Sequence, residues 1–206
     1  MSCSMIDLYL VRHGETSYNL NKLIQGQKDI PLSIVGEKGA FELGAALKEK
    51  GISFDYYLSS PLKRAVETAQ IIRYQLNQTD KSIKTMDEFK ERSFGVLEGT
   101  HFDNISEIYD NPSLQNADGF EKNESLLRRV DSGYENLIEN YKNSKLVLVT
   151  HSNVLKSILI DINPMLYNYK TPIPNLAVVQ IKIDDLGNSK VIDLNLLKNN
   201  KLDTTA

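Results

Sequence analysis

An apolar run that stops on a charged corner constrains this chain most. Met5-Ile6-Asp7-Leu8-Tyr9-Leu10-Val11 is apolar apart from one aspartate and reads as a short buried strand. It ends at Arg12-His13-Gly14, where a cation, an imidazole and a glycine follow one another directly. Neighbours in an extended strand point to opposite faces, so Arg12 and His13 serve one pocket only if the chain turns there. Gly14 permits that turn and lets backbone come close to a ligand, and Thr16 is placed to cap a following helical segment. Open α/β folds bind ligands at corners of this kind. On their own the three residues equally fit an ordinary strand end with two exposed polar side chains, since so short a motif is weak.

Two further stretches change that balance. Ser59-Ser60-Pro61-Leu62-Lys63-Arg64-Ala65-Val66-Glu67-Thr68 puts a second arginine in the first turn of an expected helix. Leu148-Val149-Thr150-His151-Ser152-Asn153 puts a second histidine at the end of a second apolar strand. Two of only three histidines and two of only six arginines therefore fall at matching strand-to-helix corners. Singly, Arg64 reads as a solvated helix residue, His151 as a hydrogen-bonded core histidine and Asn19 as a loop or cap residue; it is their combination that points to a site.

The combination resembles the histidine phosphatase superfamily, also called the phosphoglycerate-mutase-like family. The matching stretches are Arg12 to Thr16 with Asn19, Gln25-Gly26, Asp29 to Ser33 with Gly36, Ser59 to Thr68, Glu91 to Gly99, Glu124 to Leu126, and Thr150-His151-Ser152. They stand in the family's order over residues 5 to 160. The resemblance implies that His13 is a nucleophile that becomes phosphorylated. It places Arg12, Arg64 and His151, the last as an imidazolium donor, around the phosphoryl group. Asn19, Gly14, Gln25, Gly26 and a backbone N–H near Ser152 are expected to bind the substrate. Guanidinium suits this work because its paired donors match phosphate geometry. The leaving alkoxide needs a proton, for which Glu88 and Glu91 are the candidates. Glu91 is preferred, because the family's acid precedes the pattern Phe94-Gly95-Val96-Leu97-Glu98-Gly99 at this spacing.

Length and composition fit one domain over residues 1–206: the chain is 41% hydrophobic and 25% charged. A net charge of −3 argues against a general binder of nucleic acid or anionic membrane. The single cysteine, Cys3, rules out an internal disulfide and suits a reducing compartment. No apolar run reaches the ~18 residues of a membrane span, and the opening run lacks the basic flank of a signal peptide. The expected protein is soluble and cytoplasmic, with a small phosphorylated metabolite as its partner; its oligomeric state is open.

Along the chain, residues 18–29 read as an active-site loop. A helix follows from Ser33 to Gly51, then a strand at Phe54 to Leu58, then a helix with Ser60 as N-cap and Pro61 as first residue, running to about Asn77. Ser82 to Met86 reads as a short strand, and 102–120 as mixed structure with turns at Asn111-Pro112 and Asp118-Gly119. A helix over 122–142, a strand at Lys145 to Val149 and a helix from Asn153 to Ile160 come next. Leu176 to Ile183 and Lys190 to Leu196 form a C-terminal hairpin across Asp184 to Asn188, and the last ten residues read as a frayed polar end. The pattern predicts an α/β fold, a three-layer α/β/α sandwich with a mostly parallel central sheet.

No metal-ligand spacing and no glycine-lysine-serine phosphate loop is present, and Asp184-Asp185 reads as a solvated turn. No cofactor is expected. The chain departs from the family pattern at Ser152, where glycine is usual, and at Leu97, where tryptophan is common. The segment from Thr100 to Asn123 offers Phe102, Tyr109 and Phe120 but few cations, with Lys122, Arg128 and Arg129 after it. A mutase must hold a second anionic group and keep water from the phosphohistidine, and this segment is poorly equipped for that. The expectation is therefore a metal-independent phosphatase of small phosphomonoesters. A phosphoglycerate mutase is the alternative, supported by Glu91-Arg92 and His151-Ser152-Asn153. A non-catalytic phosphate-binding protein on the same fold is a third reading, opposed by the intact set of nucleophile, clamps and acid.

Overall fold

In the computed structural model, which describes residues 5–103 and 105–193, the opening apolar run becomes strand β1 (Ile6–Arg12). It is followed by a one-turn helix, α1 (Ser17–Leu20), then α2 (Ile34–Glu49), β2 (Tyr56–Ser59), α3 (Lys63–Gln75) and β3 (Ile83–Thr85). Short 3₁₀ turns at Asp87–Phe89, Gly95–Leu97 and Ile105–Asp110 lead to α4 (Pro112–Gln115) and α5 (Asn123–Asn140). The chain closes with β4 (Lys145–Thr150), α6 (Ser152–Ile162), β5 (Val178–Ile183) and β6 (Ser189–Asp193).

The six strands form one sheet in the order β3-β2-β4-β1-β5-β6. The four strands from β3 to β1 pair in parallel, and the hairpin β5–β6 adds antiparallel at the edge of β1. Alternation along the central strands builds the layers, because successive side chains of a strand face opposite ways. Leu8, Leu10, Leu146 and Leu148 pack with Leu126, Val130, Leu155 and Leu159 of α5 and α6. Tyr9, Val11, Val147 and Val149 pack on the other face with Leu43 and Leu47 of α2 and Ala65, Ala69 and Ile72 of α3. A smaller cluster of Ile24, Phe94, Ile108 and Phe120 joins the segments on either side of residue 100. The expected three-layer sandwich with a mostly parallel sheet is thus the fold.

Several boundaries differ from expectation for local reasons. Helix α3 begins at Lys63 with Leu62 as N-cap, not at Pro61, and no side chain caps it. Ser60, expected as the cap, pairs its hydroxyl closely with His151 at 2.7 Å and accepts only at 3.4 Å from the Leu62 N–H. Asn111-Pro112 is a helix start rather than a turn: the Asn111 side chain accepts from the Ser113 N–H, and Pro112 sits where its missing N–H costs little. Conversely, the predicted caps Thr16 and Ser33 hold, each accepting from a backbone N–H of its helix. The second strand of the hairpin is seen as far as Asp193; its expected residues 194–196, the expected frayed end and Cys3 lie outside the described residues. No helix among the described residues is long and apolar enough to cross a membrane.

Candidate active site

Strands β1 and β4 run parallel with Arg12 in register with Thr150, so the residues after them, His13 and His151, leave the sheet side by side. The His13 N–H donates to the Thr150 carbonyl at 3.0 Å, and the Ser60 N–H to the Val149 carbonyl at 2.9 Å, which ties the carboxyl ends of β1, β4 and β2 together. This is where α/β sheets open a ligand crevice. The two imidazole rings stand 5.2 Å apart, centroid to centroid. Over them lies a cavity of about 750 Å³.

Arg12, His13, Asn19, Gln25, Gly26, Arg64, Glu91 and Ser152 all line this cavity, although they come from six separate stretches of chain. Gly14 and His151 are not on its wall. Gly14 acts on its neighbours: its carbonyl accepts from His13 Nδ1 at 2.7 Å and its N–H donates to Thr68 Oγ1 at 3.0 Å. Its φ is not positive, so the conformational freedom expected of it goes unused. Glycine is required there for space, because a Cβ would stand 2.8 Å from the Gly36 carbonyl oxygen.

The Gly14 contact decides the state of His13. A carbonyl can only accept, so Nδ1 carries the hydrogen and Nε2 keeps its lone pair. Burial holds the His13 pKa well below the ordinary histidine value, and the positive charges of Arg64 and Arg12 push it further down. The ring is therefore neutral at physiological pH, with one nitrogen available as a nucleophile.

Arg64 is fully buried in α3 and is held by two backbone carbonyls, Lys28 at 2.8 Å and Gly26 at 2.7 Å. Its Nε has no partner among the described residues. Burial lowers its pKa to about 10, which leaves it charged. Arg12 donates through Nη1 to the Ile173 carbonyl and likewise leaves Nε without a partner. Two guanidinium groups thus keep unspent donors beside the neutral imidazole.

His151 differs from expectation. Burial, then Arg64, His13 and Arg12, hold its pKa well below the usual histidine range, so it is neutral in the free protein rather than an imidazolium. Its Nε2 is 2.7 Å from Ser60 Oγ, while Nδ1 has no partner among the described residues. A phosphate dianion would favour its protonation, because an opposite charge nearby stabilises the charged form.

Thr16 organises the loop groups. Its hydroxyl donates to Gln25 Oε1 at 2.8 Å, and its backbone N–H donates to Asn19 Oδ1 at 3.1 Å. With both oxygens engaged, the amide NH2 ends of Asn19 and Gln25 are the donors left to the cavity. Glu91 is 7% exposed, and its Oε1 accepts from the N–H groups of Arg92 at 2.8 Å and Asn153 at 3.2 Å. Glu88, the other acid considered, packs by Gly133 of α5 and does not line the cavity.

Of Lys122, Arg128 and Arg129, the cations that follow the 100–123 segment in sequence, none lines the cavity. Lys122 donates to the Gln115 carbonyl and Asn116, and Arg128 is exposed. Arg129 pairs with Glu121 at 2.7 Å and donates to the carbonyls of Glu88, Lys90 and Glu91, bracing the stretch that carries the acid. Tyr109 does reach the wall, whereas Phe102 and Phe120 belong to the small apolar cluster.

Sequence reasoning missed several contributors. Ser60 orients His151. Asn175, just before β5, donates to the His13 carbonyl at 2.9 Å and the Gly14 carbonyl at 3.2 Å, fixing the corner. Asn153, Lys156, Lys170 and residues 171–174 supply a further part of the wall. The Thr171-Pro172-Ile173-Pro174 stretch carries a signal, since it breaks the chain, but nothing local says where it returns.

The two neutral histidines predict acid sensitivity. Unfolded histidine binds a proton below about pH 6.5, while the buried rings resist doing so, and stability then falls with falling pH. Full stability is present above pH 6.5 and is lost below it, at up to about 1.4 kcal/mol per pH unit for each histidine. Denaturant midpoints at pH 7.5 and 5.5 measure this, and His151→Gln is expected to flatten the slope.

The model of the histidine phosphatase superfamily (branch 1) matches residues 8–195. The chain is 37% identical over 159 residues to the uncharacterized phosphatase PhoE of Bacillus subtilis, covering 77% of this chain and 78% of that one. A phosphoserine phosphatase of Entamoeba histolytica, solved with 3-phosphoglyceric acid, superposes with a TM-score of 0.72 at 28% identity, covering 92% of this chain and 96% of that one. A phosphoglycerate mutase of Bacillus anthracis shares the fold with a TM-score of 0.82 at 23% identity, covering 94% and 95%.

Proposed function

Because the chain belongs to the histidine phosphatase superfamily, branch 1, we propose that it hydrolyses small phosphomonoesters through a phosphohistidine on His13, without a metal. The observation that carries this is the free Nε2 of a neutral His13 in a cavity walled by Arg12 and Arg64. Nε2 attacks phosphorus in line with the leaving oxygen. Arg12 and Arg64, the amides of Asn19 and Gln25, and the first turn of α6 at Ser152 hold the other oxygens, while His151 backs them through Nδ1. Charge stabilisation of this kind supplies most of the catalysis in phosphoryl transfer. Gly26 contributes by its carbonyl, which fixes Arg64, and Gly14 by its carbonyl, which fixes the His13 tautomer.

Glu91 hands its proton to the departing alkoxide as the P–O bond breaks. The resulting carboxylate then takes a proton from water, the hydroxide attacks the phosphohistidine, and inorganic phosphate leaves with His13 and Glu91 restored. Nothing in this cycle needs a cation beyond those the protein carries. A single domain over residues 1–206 is part of this reading, supported by the one sheet and by the long family match. A cytoplasmic location fits the single cysteine and the lack of a spanning helix among the described residues.

Incubation with 3-phosphoglycerate in the presence of EDTA tests the reading. Stoichiometric inorganic phosphate and the dephosphorylated alcohol are expected. An isomer with little free phosphate would replace it with the mutase alternative.

A further inference from the structure

One charged residue on the cavity wall has no part in that cycle. Lys156 lies on α6, one turn beyond His151, between the apolar pairs Val154-Leu155 and Ile158-Leu159, and is 7% exposed. Its Nζ donates to the Tyr169 carbonyl at 2.7 Å and stands 5.6 Å from the centre of the Tyr109 ring. An ammonium has three donors, so two remain. Of the four cations that line the cavity, Arg12 and Arg64 are assigned to the phosphoryl group and Lys170 pairs with Asp110. Lys156 has neither a phosphoryl oxygen to hold nor an ion pair among the described residues.

A buried charge that no carboxylate pairs directly is costly. Burial lowers the Lys156 pKa to about 8, with Arg12 and Arg92 adding to it and Glu91 opposing. An anion entering beside the ammonium would relieve it. Asn153 offers a second donor nearby, because its Oδ1 is held by the Tyr109 hydroxyl and its NH2 is left over. The expectation that this chain lacks cations for a second anionic group was drawn from the 100–123 segment; the cation comes instead from the helix after the second histidine.

We propose that Lys156 is a specificity-determining residue that binds a carboxylate-class anionic group on the leaving alcohol, so that phosphomonoesters carrying such a group are preferred over neutral ones. The proposal rests on the phosphohistidine reading and extends it.

Two substrates that differ at one group test it: 3-phosphoglycerate, which carries a carboxylate, and glycerol 3-phosphate, which has a hydroxymethyl in its place. The wild type is expected to favour 3-phosphoglycerate in kcat/KM. Lys156→Met is expected to lower kcat/KM for 3-phosphoglycerate about tenfold or more, the scale of one hydrogen bond to a charged group, and to leave glycerol 3-phosphate within about twofold. Lys156→Arg is expected to restore most of the preference. Equal loss on both substrates would mean that Lys156 merely props the Tyr169 segment, and it would overturn the proposal. So would an unchanged ratio, or a wild type with no preference. Failure of the underlying reading looks different: the wild type would then release no phosphate from either substrate or from p-nitrophenyl phosphate.

Discussion

His13→Ala is expected to bring phosphate release down to the level of a buffer control, a loss on the order of 10⁴-fold or more, as befits an unreplaced nucleophile. No neighbour can take over. The ring of His151 is 5.2 Å from the one removed and is anchored through Nε2 to Ser60. The fold should survive, because the corner is held by backbone groups: His13 N–H on Thr150, and Asn175 on the His13 and Gly14 carbonyls. A circular dichroism spectrum like that of the wild type, with turnover gone, is the expected pair of results. Turnover within tenfold of wild type would contradict the account.

Arg64→Met is expected to cost about 10²–10³ in kcat, the scale for removing a preorganised donor from developing charge. It has a second effect whose sign follows from the geometry. Arg64 is among the charges that hold His13 and His151 neutral, so its loss lets both pKa values rise toward the ordinary value. The acidic limb of the kcat/KM profile should then move to higher pH, because activity requires neutral His13. The Lys28 and Gly26 carbonyls also lose their donor, and a destabilisation of about 1–3 kcal/mol follows from leaving them unpaired. Arg64→Lys should keep the pH profile and regain little of kcat, since an ammonium cannot serve two carbonyls and a phosphoryl oxygen in one plane. A pH profile unmoved in the methionine variant would separate Arg64 from the histidines.

The sheet and the corners were readable because β1 and β4 are apolar runs that stop abruptly at ionisable residues, and such runs have few other ways to be buried. The layers were readable from strands alternating with helices along the chain; which face each of Leu8, Tyr9, Leu10 and Val11 takes was not, because all four are apolar. What failed was set by contacts across the fold. Ser60-Pro61 has the form of a helix start, but the serine is drawn to His151, 91 positions away, and the helix begins later. His151 as an imidazolium was reasonable for a donor to phosphate; in the free protein, total burial next to two arginines favours the neutral ring instead. Lys156 carries no signal in the sequence at all. A lysine among Leu155, Ile158 and Leu159 reads as a snorkelling residue on a core helix, and only the return of residues 167–174 over that helix turns it into part of a wall.

The central claim is that phosphorus passes through His13, and it is tested most directly by trapping the intermediate. Enzyme mixed with phosphorus-labelled 3-phosphoglycerate and quenched in alkali within a single turnover should carry label on the peptide containing residue 13. That label should be stable to base, lost in acid, and missing from His13→Ala. Phosphate release proceeding with no label on that peptide, or with label on His101 or His151 instead, would contradict it.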